Sequence, residues 1–133
     1  MEEKRGAIKV FLKIHRHGIF GSKEIKEMIQ FLEDYVKRLS ESKNIKYHFH
    51  EEEKEYFGFC MEGDLDPEIY KKKFSNLDEI LDEFGLRKYL RDIKKISAFI
   101  YIVRPGEEDP EDKRPPDFFY EYDLSEKKIP FNP

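Results

Sequence analysis

All four histidines occur as two pairs with one residue between them, His15-Arg16-His17 and His48-Phe49-His50, each near the end of a stretch patterned as a β-strand. Side chains two apart on a strand share a face, so each pair projects both imidazoles in one direction. Together they would supply a nitrogen set for zinc or a similar divalent ion. His15, His17, His48 and His50 are therefore the candidate metal ligands. A third strand is expected between the pairs and sets their backbones about 9–10 Å apart. Glu51, Glu53 or Glu55 could instead complete a two-histidine site. The competing reading is of surface histidines on amphipathic strands, with no cofactor.

Other chemical signals are sparse. There is no Gly-rich phosphate loop and no serine-nucleophile motif, and the one cysteine, Cys60, has no sequence partner marking it as reactive. The run Lys71–Lys73 and the carboxylates of Asp78, Glu79, Asp82 and Glu83 read as solvated helix faces, and Glu51–Glu53 reads as a polar turn. These features argue against an enzyme.

The 133 residues, 38% of them hydrophobic, suffice for one domain with a modest core. Charged residues reach 41%, threonine is absent and Gln30 is the only glutamine, a balance that points to a thermophilic source. A single cysteine cannot form an internal disulfide, and the opening Met-Glu-Glu-Lys-Arg does not resemble a secretory signal, so a reducing cytoplasm is expected. No stretch approaches the roughly 18 apolar residues that span a bilayer, so no membrane partner is expected. Net charge is −4, but residues 1–50 carry 11 Lys/Arg against 7 Asp/Glu and residues 51–133 carry 14 against 22. Overall acidity argues against a general polyanion binder while leaving room for a local basic face.

Residues 7–17 alternate, with Ile8, Val10, Leu12 and Ile14 on one side and Lys9, Phe11, Lys13, His15 and His17 on the other. Ser22 is a plausible N-cap for a helix over about 23–42, where Ile25, Met28, Ile29, Leu32, Val36 and Leu39 recur at helical spacing. Residues 45–50 and 55–61 read as a hairpin. Asp66-Pro67-Glu68 starts a helical region reaching about residue 93. Ser75-Asn76 and Gly85 offer breaks within it, so the pattern fits two or three short helices as well as one. Residues 96–103 form the most strand-like run, stopped by Arg104-Pro105-Gly106.

The order β-α-β-β-α-β predicts an α+β, ferredoxin-like sandwich, in which a four-stranded antiparallel sheet of order 4-1-3-2 carries helices on one face. Residues 1–106 form this domain. Residues 107–133 comprise an acidic, proline-rich linker and a C-terminal aromatic segment, which docks on the domain or on a partner. The opposite sheet face is then open, displaying Lys9, Phe11, Lys13, His15 and His17, with Phe99, Tyr101, Lys46, His48 and His50 beside them. A hairpin loop of two or four residues puts Phe57 and Phe59 on the face of His48. A loop of three sends them into the core and turns Tyr56 and Cys60 outward. The core placement buries more apolar surface and is preferred.

Val10-Phe11-Leu12 and Phe57-Gly58-Phe59 bear a partial resemblance to the two sheet motifs of the RNA recognition motif, whose open face stacks bases on aromatic rings. Glu55, Tyr56 and Glu62 depart from that pattern, and the first motif lacks its Asn. His48-Phe49-His50 with Tyr70-Lys71-Lys72-Lys73 is similar to the His-hydrophobic-His and Tyr-x-x-Lys strings of rolling-circle replication and transposition nucleases. That resemblance implies a divalent ion on the histidines and a tyrosine nucleophile, with Tyr120 or Tyr122 as substitutes for Tyr70.

The function expected is that of a small intracellular binding protein using its open sheet face. Its ligand would be single-stranded nucleic acid, RNA above all: Phe11, Phe99 and Tyr101 would stack bases while Lys9, Lys13 and Lys46 hold phosphates. The alternatives are a structural homodimer or adaptor with that face as interface, and a metal-dependent nuclease through His48 and His50.

Overall fold

The computed structural model describes residues 6–17, 21–39, 47–63 and 66–124. Alternation in the first segment produces β1 (Gly6–Arg16), whose Ile8, Val10, Leu12 and Ile14 are all buried. An amphipathic helix follows, α1 (Ser22–Leu39), which buries Met28, Leu32, Tyr35 and Val36. Next come β2 (Tyr47–Glu51) and β3 (Lys54–Gly63), a hairpin closed by Glu52-Glu53. The helical region is broken as its capping residues dictate. Helix α2 (Pro67–Phe74) starts where Asp66 accepts from the Glu68 amide at 3.0 Å, and α3 (Leu77–Glu83) starts where Asn76 accepts from the Glu79 amide at 3.3 Å. Gly85, with φ of 64°, takes the left-handed conformation after α3, and a 3-10 helix over Arg87–Asp92 leads into β4 (Ile93–Val103).

The architecture is α+β, with a five-stranded antiparallel sheet of order β2-β3-β1-β4-β5. Its first four strands lie in the order β4-β1-β3-β2. The difference from the expected sheet is β5 (Phe118–Asp123), which forms from the C-terminal aromatic segment and pairs with β4. Register places Phe57, Phe59 and Met61 of β3 and Ile96, Ala98 and Ile100 of β4 on the same face as the buried residues of β1. Those side chains and the apolar faces of α1, α2 and α3 make one core cluster. Full burial of a side chain of this size is worth about 1.5–3 kcal/mol.

Two further differences shape the other face. Residues 107–116, expected as a linker, form an ordered strap with a 3-10 turn at Pro110–Asp112, and Pro110 is buried. The β2–β3 loop has two residues, yet Phe57 and Phe59 are in the core. The parity of that short loop therefore carries His48 and His50 to the helix side, and Phe49 to the open side, the reverse of the expected arrangement.

Candidate functional site

The open face is laid out by three rows of cross-strand neighbours. Phe11 on β1 lies between Gly58 of β3 and Phe99 of β4, and Phe99 pairs outward with Phe119 of β5. One step along, Lys13 lies between Tyr56 and Ser97, with Phe49 and Glu121 beyond them. In the third row, His15 lies between Lys54 and Lys95, with Glu51 and Asp123 at the margins. Phe49 and Phe119 are 51% and 48% exposed, whereas Phe11, Tyr56 and Phe99 are half-buried. Phe49 stacks on Tyr56 with centroids 4.4 Å apart, and Phe99 lies 5.0 Å from Phe119.

Among the cations of this region, Lys94 donates to Glu53 at 3.2 Å. Lys95 approaches Glu121 at 3.7 Å, but Lys13 and Lys54 have no carboxylate partner among the described residues. The local potential is legible in His15, whose pKa is lowered first by desolvation and then by Lys94 and Lys54, against the opposing pull of Glu53.

Toward the other end the strap covers the face. Lys9 Nζ lies 3.4 Å from Glu111 and 3.5 Å from Asp109. Tyr101, only 6% exposed, sits 5.7 Å beneath the Arg114 guanidinium and meets Phe11 edge-on. Arg114 knots the strap to the sheet. Its Nε and Nη2 donate to Glu107 at 2.8 and 3.1 Å, its Nη1 donates to Asp117 at 2.9 Å, and Nη2 also reaches the Ile102 carbonyl at 2.9 Å. Held by Arg114 and by the Arg104 amide, Glu107 has its pKa pulled down to about 2. Asp117 in turn accepts from the Ile102 amide at 2.7 Å.

The histidines are divided between the faces. His15 is on the open face and His17 is exposed just past the strand, whereas His48 pairs with Phe57 and His50 with Glu55 on the helix side. The sheet therefore separates the two pairs, and one ion cannot take all four nitrogens. His48 and His50 share the buried Glu55 carboxylate instead, with His48 Nε2 2.6 Å from Oε1 and His50 Nδ1 3.0 Å from Oε2. Among the described residues no group of three or more His, Cys, Asp or Glu side chains is arranged to hold a metal ion.

Of the six residues expected to form the nucleic-acid face, Phe11, Lys13 and Phe99 remain neighbours on adjoining strands, with both rings half-buried. Lys9 and Tyr101 share that face but lie at its strapped end, and Lys46 is outside the described residues. The structure adds Phe49, Tyr56, Lys54, Lys95 and Phe119. Tyr70 belongs to the core cluster, and the Tyr122 hydroxyl donates to the Phe74 carbonyl at 2.7 Å. No helix among the described residues is long and apolar enough to cross a membrane. Comparison with protein-family models, with curated proteins and with solved structures finds no match.

Proposed function

We propose that the protein binds single-stranded nucleic acid, RNA above all, on the unstrapped part of its open sheet face. One observation carries this reading. A row of rings, Phe11, Phe99 and Phe119, lies directly beside rows containing Lys13, Lys54, His15 and Lys95, with Phe119 48% exposed and Phe11 and Phe99 half-buried. Non-specific single-strand binding needs those two ingredients: aromatic faces on which bases stack, each worth about 1–3 kcal/mol, and cations that track the phosphates. The Phe49–Tyr56 stack extends the platform toward β2, and the acidic margins at Glu51, Glu121 and Asp123 confine the phosphate path to the central strands.

The test is anisotropy of a labelled oligouridylate of about ten nucleotides, a length within the range such surfaces occupy. Binding should weaken steeply between about 50 and 200 mM salt, with a log–log slope near −0.7 for each phosphate contacted. Lys13→Glu should abolish it at the higher salt, and Phe119→Ala should weaken it without changing the slope. Absence of binding by the wild-type chain even at the lower salt overturns the proposal.

A further inference from the structure

The strap grips the sheet unevenly. Its ends are fixed by the Arg114 knot, with contacts of 2.8–3.1 Å to Glu107, Asp117 and Ile102, and by the 2.7 Å bond from the Ile102 amide to Asp117. In its tip, residues 108–113, Pro110 is buried against the sheet, but the flanking carboxylates of Asp109 and Glu111 meet Lys9 only through ion pairs of 3.5 and 3.4 Å, and the Asp109 side chain is 64% exposed. Asp109 also holds a left-handed φ of 49°, a conformation that costs a non-glycine residue free energy. Carboxylates thus reach Lys9 from the solvent side of the sheet. Lys9 belongs to the same outward series as Phe11 and Lys13, so a strand following that series would bring phosphates to the place where Glu111 and Asp109 now lie.

Resting on the reading of this face as a single-strand site, we propose that the strap tip is an internal polyanion mimic that bound nucleic acid displaces from Lys9. Displacement would extend the platform by Lys9, while Tyr101 stays beneath Arg114. The firmly held ends would keep the tip close enough to return. The strap would thereby favour strands long enough to cover both ends of the face over short ones.

The full-length Asp109→Asn/Glu111→Gln variant tests this, because it removes the competing charge at the exposed tip and leaves the Arg114 knot intact. Its affinity for the labelled oligouridylate should rise about fivefold at low salt, the size that two exposed ion pairs allow. Lys9→Ala in that background should cancel the gain. A second readout needs no ligand. Cys60 lies opposite Lys9 in the register, and its thiol pKa is raised by burial, then by Glu62 and, least, by Glu111, against the pull of Lys9, so freeing Lys9 from Glu111 should make it react measurably faster with a disulfide reagent in the variant. Wild-type binding with no change in affinity or Cys60 reactivity in the variant overturns the competition alone. Failure of both proteins to bind overturns the reading of the face and the competition with it.

Discussion

Cutting back a ring on each face of the β2–β3 hairpin gives costs that differ several-fold, and the difference reports whether the open face is free. Phe59 is 1% exposed, with its ring between those of Tyr35 and Phe84 at 6.1 and 6.0 Å. Phe59→Ala leaves a ring-sized void in a core formed by three helices and the sheet, and the expected loss is about 3–5 kcal/mol. That is a large part of the roughly 5–15 kcal/mol a domain of this size possesses. Phe49 is half exposed and its principal contact is the 4.4 Å stack on Tyr56. Phe49→Ala forfeits one exposed cross-strand aromatic pair, about 1 kcal/mol. In urea, with a slope of about 2 kcal/mol/M, the midpoint should fall by roughly 1.5–2.5 M for Phe59→Ala and about 0.5 M for Phe49→Ala, with the slope unchanged. Circular dichroism follows both transitions. Equal losses for the two variants would refute the reasoning, because they would mean that Phe49 is covered in solution. A midpoint rising with protein concentration would then identify the cover as a second copy.

Two other outcomes follow from particular side chains. A Cβ at Gly85 would lie 2.4 Å from the Phe31 ring, and φ is 64°, so Gly85→Ala should cost about 1–2 kcal/mol in the same urea assay. Adding Phe31→Ala, a residue 41% exposed, should recover the steric part but not the backbone part, and full additivity of the two losses would refute the clash. The pKa of His15 is lowered in the free protein by desolvation and neighbouring lysines, and a phosphate bound beside Lys13 and Lys54 should raise it. A group whose pKa rises on binding favours the complex at low pH, so affinity should strengthen as pH falls through that bound-state pKa. An NMR titration with and without oligonucleotide checks the direction, and an unmoved His15 would place any binding elsewhere.

Much of the scaffold is readable in the chain because its signals are local. Ile8, Val10, Leu12 and Ile14 announce a half-buried strand, and Asp66-Pro67 and Asn76 announce helix starts by side-chain capping. The hairpin face is not readable in the same way. Glu52 turns the chain with φ of 54° in a loop that lacks the Asn-Gly or Asp-Gly chemistry of common two-residue turns. The sequence therefore offers no local reason to choose two residues over three, and that choice moves His48, His50 and Phe49 together. The strap escapes for a different reason. Glu107, Asp117 and Arg114 read as a solvated charged run, and only the approach of β5 to β4 turns them into a network bonded to Ile102. Phe119 was visible as an aromatic, but its place beside Phe99 depends on that same non-local pairing.

The charge asymmetry of the chain acquires a structural meaning from these contacts. Overall acidity of −4 argues against a polyanion binder only if charge is spread evenly, and here it is not. Glu107, Asp109, Glu111 and Asp117 are gathered into the strap, where they are paired with Arg114 and Lys9. Glu27 and Glu83 face Lys88 and Arg38 on the helical side. Around His15, desolvation is the main cause of a lowered pKa, and Lys94 and Lys54 add to it against the pull of Glu53. A phosphate approaching the sheet responds to that local field, since beyond a Debye length of about 8 Å at physiological salt the distant carboxylates are largely screened. The strap brings Glu111 and Asp109 within 3.5 Å of Lys9, so on the proposed reading its position tunes this face more than the net charge of the protein does.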